Sequence, residues 1–175
     1  MAFHHLAIAT RDAKATHAFY TRAMGFELAR VEVARAGPRG FAKHLFYDTG
    51  NGEMIAFWDF HDAGLREDWS PAISDGLGLT HWANHVAFAA KDLAELAARR
   101  ERWLENGCDV MEVEHGWCTS IYTNDPNGIM VEFCTTMRAF GSQDREEALR
   151  LLDAQSPPLG EPPPSRIYRA SERRR

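Results

Sequence analysis

Two histidines and one glutamate in this 175-residue chain carry the chemistry of a metal site. His5 stands in HHLAIATRD (4–12), and His85 stands in NHVAFAAKD (84–92), nearly the same pattern written twice. Glu132 falls in IMVEFC (129–134), among apolar neighbours. A carboxylate in such a strand is costly to bury unless it is paired or bound to a cation. Two imidazoles and a carboxylate form a facial set suited to Fe(II), Mn(II) and similar ions, with positions left open for substrate. The residue that matches Glu132 in the first half is Ala56, so one site per chain is expected.

The elements that must position these residues also come in duplicate. GFELARVE (25–32) matches GCDVMEVE (107–114), and DTGNGEMIAFW (48–58) matches DPNGIMVEFCT (125–135), in the same order. A repeat of this kind means two copies of one structural unit. Each unit opens with an alternating strand. Phe3, His5, Ala7 and Ala9 share one face, as do His85, Ala87 and Ala89; the opposite faces carry Leu6 and Ile8, or Val86 and Phe88. The bulky face calls for a helix, and the small face leaves room for a ligand. His4, whose repeat partner is Asn84, is expected on the helix side.

A helix follows each strand, capped by Thr10 or Asp12 in the first unit and by Asp92 in the second, and ended by Gly25 and Gly107. Three strands complete each unit: Glu27–Val33, Ala42–Tyr47 and Glu53–Trp58, then Asp109–Glu114, Cys118–Thr123 and Ile129–Thr135. TGNG (49–52) and DPNG (125–128) are their turn signals. The fold class is therefore α+β: two repeated β-α-β-β-β modules forming a cupped mixed sheet around a metal site. The modules span 1–58 and 83–136. Residues 59–82 join them as a linker that is equally consistent with a lid. Residues 137–175 hold a helix over Gln143–Leu152, a proline-rich stretch (156–164) expected to be extended or disordered, and an arginine-rich end.

A net charge of −5 gives no footing for nucleic acid, which needs a clustered positive field. No apolar run reaches membrane-spanning length, and no secretory signal opens the chain, so a cytoplasmic location is expected. Three cysteines without a CxxC pair read as free thiols.

HHLAIATRD, NHVAFAAKD, DPNGIMVEF and the doubled module resemble the vicinal oxygen chelate superfamily over residues 3–136. That group includes glyoxalase I, fosfomycin-resistance enzymes, methylmalonyl-CoA epimerase and type I extradiol dioxygenases. The resemblance implies a metal on His5, His85 and Glu132. Glyoxalase-type members look for a further carboxylate ligand where Ala56 stands, which argues against glyoxalase I chemistry; the two-histidine, one-glutamate set is shared by extradiol dioxygenases and fosfomycin-type transferases. Tyr122, in SIYTNDPNGIMVEF (120–133), matches a tyrosine that hydrogen-bonds substrate in the dioxygenases, and His115 lies near a second stabilising histidine. His44 stands in for an acid–base histidine that the pattern lacks at Glu53 or Met54. Phe57, Trp58, Trp82 and Trp117 are the aromatic residues expected to wall a planar ring.

The function so implied is an Fe(II) ring-cleaving dioxygenase of a catechol-like aromatic, with O₂ as co-substrate. Mn, Zn, Ni or Co in the same site would give an O₂-independent isomerase, lyase or transferase. A metal-free antibiotic-binding protein is the remaining reading. A homodimer is expected by the same resemblance.

Overall fold

Polar–apolar alternation in the opening segment produces β1 (His5–Thr10). The chain then turns into α1 (Ala13–Ala18), and the Asp12 carboxylate caps it by accepting the Ala15 N–H at 2.9 Å. Thr10 does not cap; its hydroxyl is committed to the interior. The helix widens into a π-helical turn over Phe19–Ala23 that sequence periodicity did not suggest. The wider turn lets the consecutive residues Phe19 and Tyr20 both face inward. Gly25, at φ 78°, ends it. Strands β2 (Glu27–Ala36), β3 (Gly40–Asp48) and β4 (Met54–His61) complete the first module, so β4 runs past the boundary expected at 58.

A linker containing a single helical turn, α2 (Ile73–Gly76), leads to β5 (His85–Ala89). The helix α3 (Leu93–Glu105) follows, with Asp92 accepting the Glu95 N–H at 2.8 Å. Then come β6 (Val110–Glu114), β7 (Cys118–Asn124) and β8 (Met130–Thr136). The tail adds α4 (Ser142–Asp153) and a short strand, β9 (Ser165–Tyr168). This computed structural model describes residues 3–171; the terminal arginines expected to form a solvated end lie outside them.

The α+β class and the doubled β-α-β-β-β module are as the sequence leads one to expect. Each module keeps its own sheet: β1-β4-β3-β2 in the first and β5-β8-β7-β6-β9 in the second. In both, the opening strand lies parallel to the last strand of its module, at the sheet edge. β9 is the departure. The segment after the prolines pairs antiparallel with β6 and widens the second sheet.

The two helix-side faces share one core. Phe26 packs edge-on against Phe88 at 5.0 Å, Tyr20 lies 4.5 Å from Phe57, and fully buried Trp103 of α3 meets Phe133 at 5.3 Å. A buried polar cluster crosses the same junction. Asn127 accepts from Thr10 at 2.7 Å and donates to Thr16 and Asp125, while the Tyr20 hydroxyl donates to Asp125. Burial raises the pKa of the Asp125 carboxyl. With the helix sides spent on each other, the His-bearing faces of β1 and β5 point away from this core: His5, Ala7, His85, Ala87 and Ala89 are all exposed.

Candidate metal and substrate site

His85 opens β5, and its ring is held from behind. Nδ1 lies 2.9 Å from the Trp82 carbonyl. A carbonyl can only accept, so Nδ1 carries a proton and Nε2 is directed away from the carbonyl. Nε2 faces Glu132 Oε2 at 3.2 Å. Glu132 is 5% exposed, on β8 beside β5. Backbone-carbonyl support of one imidazole nitrogen, with the other facing a buried carboxylate, is the arrangement that metal-ligating histidines use. The pair fits a divalent cation between Nε2 and the carboxylate.

Strand register brings Tyr122 into line with Glu132 on the same face. The Tyr122 hydroxyl lies 3.0 Å from His115 Nε2, and its ring is 6.3 Å from that of His85. Burial, aided by the Glu132 charge and opposed by a hydrogen bond with Ser120, pushes the Tyr122 phenol up to about 12. His85, Glu132, Tyr122 and His115 thus gather on the second sheet. Cys118 and Cys134 share this face, and burial pushes the Cys134 thiol up to about 11, which leaves it a poor nucleophile at neutral pH.

His5 lies elsewhere. Its ring is 6.0 Å from His44 and 5.4 Å from Phe46, on the face of the first sheet. Among the described residues, no three His, Cys, Asp or Glu side chains gather as a metal-binding group. Within one chain the trio is therefore split into His5 on one sheet and His85 with Glu132 on the other. His4 precedes β1, so strand alternation does not govern it; its Nδ1 sits 2.7 Å from Nδ1 of His5 instead of turning to the helix side.

His44 is 6% exposed and stacks on Trp58 at 3.7 Å, with its Nε2 buried and unpartnered. Burial, with the neighbouring His5, lowers its pKa against the opposing pull of Glu32. Two expected substrate contacts are corrected by the fold. Phe57 lies on the helix side, fully buried against Tyr20, because alternation along β4 gives the His5 face to Ala56 and Trp58. Trp117 packs on Phe140 at 5.0 Å and lines a separate cavity with α4. Trp82 is exposed, and its carbonyl meets His85 Nδ1 at 2.9 Å. The residues that sequence reasoning missed are Met111, Met130 and Ile167, which line a cavity beside Tyr122. Alternation with Glu132 and Tyr122 could have found the methionines; no pattern announced Ile167.

Residues 2–133 match the family model of the Glyoxalase/Bleomycin resistance protein/Dioxygenase superfamily, and the chain belongs to that superfamily. Its members are mostly enzymes, generally bind a divalent metal, and act on small molecules. No curated protein matches the sequence. Among solved structures, the chain resembles a glyoxylase/bleomycin resistance protein/dioxygenase domain from Frankia sp. EAN1pec, with a TM-score of 0.58 and 16% identity, over 80% of this chain and 95% of that one. A glyoxalase/bleomycin resistance protein/dioxygenase from Alicyclobacillus acidocaldarius gives 0.54 and 17%, over 78% and 92%. The fosfomycin resistance protein FosX from Listeria monocytogenes gives 0.52 and 18%, over 83% and 98%. At these identities the likeness is one of fold. Among the described residues, no helix is long and apolar enough to cross a membrane.

Proposed function

We propose that this chain is an Fe(II)-dependent dioxygenase that opens a catechol-like ring beside its two hydroxyls. The reading is carried by the Tyr122–His115 couple, 3.0 Å between hydroxyl and Nε2, set on the same face as the His85–Glu132 pair. The absence of a carboxylate at buried Ala56 supports a three-ligand site. His5 completes that site from a second copy of the chain. The support for this is the split of the trio within one chain and the exposure of both His-bearing faces.

A divalent metal held there would supply Lewis-acid and redox chemistry for a reaction between a diol and O₂. Glu132 and His85 Nε2 would hold the cation, and the Trp82 carbonyl orients the His85 ring through Nδ1. Tyr122 keeps its proton at neutral pH and donates it as a hydrogen bond to a substrate oxygen where negative charge grows. His115 orients that hydroxyl. His44 travels with His5; burial lowers its pKa, and its buried, unpartnered Nε2 is the acceptor offered to the second hydroxyl. Both atoms of O₂ enter the product, so no further reductant is consumed.

Elemental analysis of protein purified without oxygen or added metal, followed by catechol-dependent O₂ uptake, tests the reading. About one iron per chain with O₂ uptake is the expected result. Manganese, zinc, nickel or cobalt with no O₂ requirement would overturn the dioxygenase in favour of an isomerase, lyase or transferase on the same ligands. No metal, even on titration, would leave a ligand-binding protein.

A further inference from the structure

His4 stands just ahead of β1, and its main chain is held on both sides. Its carbonyl accepts the Met54 N–H at 3.1 Å, which ties it to β4. The preceding N–H, that of Phe3, donates to the Glu53 carboxylate at 3.2 Å. So anchored, the exposed His4 ring meets the His5 ring edge-on, with centroids 5.0 Å apart and planes at 74°. The Nδ1 atoms of the two rings are 2.7 Å apart.

Two nitrogen lone pairs at that distance repel, so one Nδ1 carries a proton and the other accepts it. Which ring donates decides what His5 can do with its other nitrogen. A neutral imidazole carries one ring proton. If His5 donates from Nδ1, its Nε2 keeps a lone pair and can bind a cation. If His5 accepts at Nδ1, its Nε2 holds the proton and cannot. His85, the repeat counterpart of His5, turns Nδ1 to the Trp82 carbonyl and Nε2 to Glu132. In the first module the equivalent acceptor is a side chain. Asn84, which stands in the place of His4 in the second module, is engaged with the Ser74 hydroxyl through its main-chain N–H at 2.8 Å and its amide at 3.2 Å.

We propose that His4 is a positioning residue for the metal site: its Nδ1 accepts the Nδ1 proton of His5 and so leaves His5 Nε2 as the ligand. His4 itself stays off the cation. The inference rests on the reading of His5 as a metal ligand, and it holds whether the other ligands belong to the same chain or to a second copy. Outer partners of this kind fix the tautomer and the ring orientation, and their loss weakens metal binding by about ten- to a hundredfold. His4 is exposed, so its replacement removes no core contact.

The test is zinc titration of the full chain against a competing chelator, at about pH 8, above the ordinary imidazole range. His4→Ala should weaken zinc binding by about tenfold or more. His4→Asn should restore most of the lost affinity, because its Oδ1 can accept at the place that Nδ1 leaves. Nitrogen NMR of the metal-free chain reads the pair directly. The His5 proton should sit on Nδ1 in the original chain and in His4→Asn, and spread over both ring nitrogens in His4→Ala. Unchanged zinc affinity in His4→Ala, no recovery in His4→Asn, or a His5 proton on Nε2 in the original chain overturns the inference. His5→Ala is the control for the metal reading. If it binds zinc as tightly as the original chain, that reading of His5 fails instead, and the metal-free spectra decide the pair alone. A proton released from Nδ1 by His4→Ala sustains His4 as the group that sets the His5 tautomer, and one that stays in place overturns that as well.

Discussion

Glu132 stands directly across from Tyr122 in the β7–β8 pair while its carboxylate reaches His85 at 3.2 Å, so one buried acid links the imidazole to the phenol. The two roles are separable. Tyr122→Phe should leave metal content intact and lower catechol turnover by about a hundredfold, the scale of losing one preorganised donor. Elemental analysis and steady-state kinetics on the same sample check this. Lost metal would instead assign the hydroxyl to holding the cation pair in place.

The split of the trio predicts complementation. His5→Ala and Glu132→Ala chains should each be inactive alone. Mixed and allowed to exchange, half of the pairs are hybrid, and each hybrid carries one intact site. About a quarter of the original activity should return. No recovery after demonstrated subunit exchange would place all three ligands within one chain.

Asn127 binds the two modules through Thr10, Thr16 and Asp125. Its removal strands several buried polar groups at once. Asn127→Ala should cost about 3 kcal/mol in denaturant unfolding. A loss within a few tenths of a kcal/mol would mean that solvent or repacking satisfies those groups.

The linker is fastened at the cavity rim by His81, between Asn124 and Asp75. The Asn124 contact, with Asp75 adding to it and partial burial opposing, raises the His81 pKa above its ordinary 6.5. A raised imidazole contributes stability that is fully present below the unfolded pKa and is lost as pH rises through the folded one. Hydrogen exchange of residues 75–81, corrected for intrinsic rate, should therefore speed up as pH climbs above 6.5 through the raised value. In His81→Ala exchange should be fast throughout. Equal protection on both sides of the transition would remove His81 from the fastening.

Much of this was legible in the residues. The repeat of HHLAIATRD in NHVAFAAKD placed both histidines on small-residue faces, and alternation placed Glu132 among them. The caps Asp12 and Asp92 followed from side-chain chemistry. Local pattern carries no information about how two modules dock, so the distance from His5 to Glu132 was not readable. Phe57 and Trp58 are adjacent aromatics, and only the register of β4 decides which one faces the site. β9 was missed because a proline-rich approach reads as disorder, whereas its edge pairing depends on β6 being open.

The shared core says something about ancestry. A doubled unit begins as two copies able to fold apart, yet here Tyr20 of one half finds its acceptor on Asp125 of the other, and Phe26 rests on Phe88. Each half now supplies what the other lacks. A half expressed alone would expose these aromatics and strand its polar groups, and the whole should melt in one cooperative step. The halves divide the labour: one carries the acid Glu132, the other the alanine Ala56, and each completes the other's core.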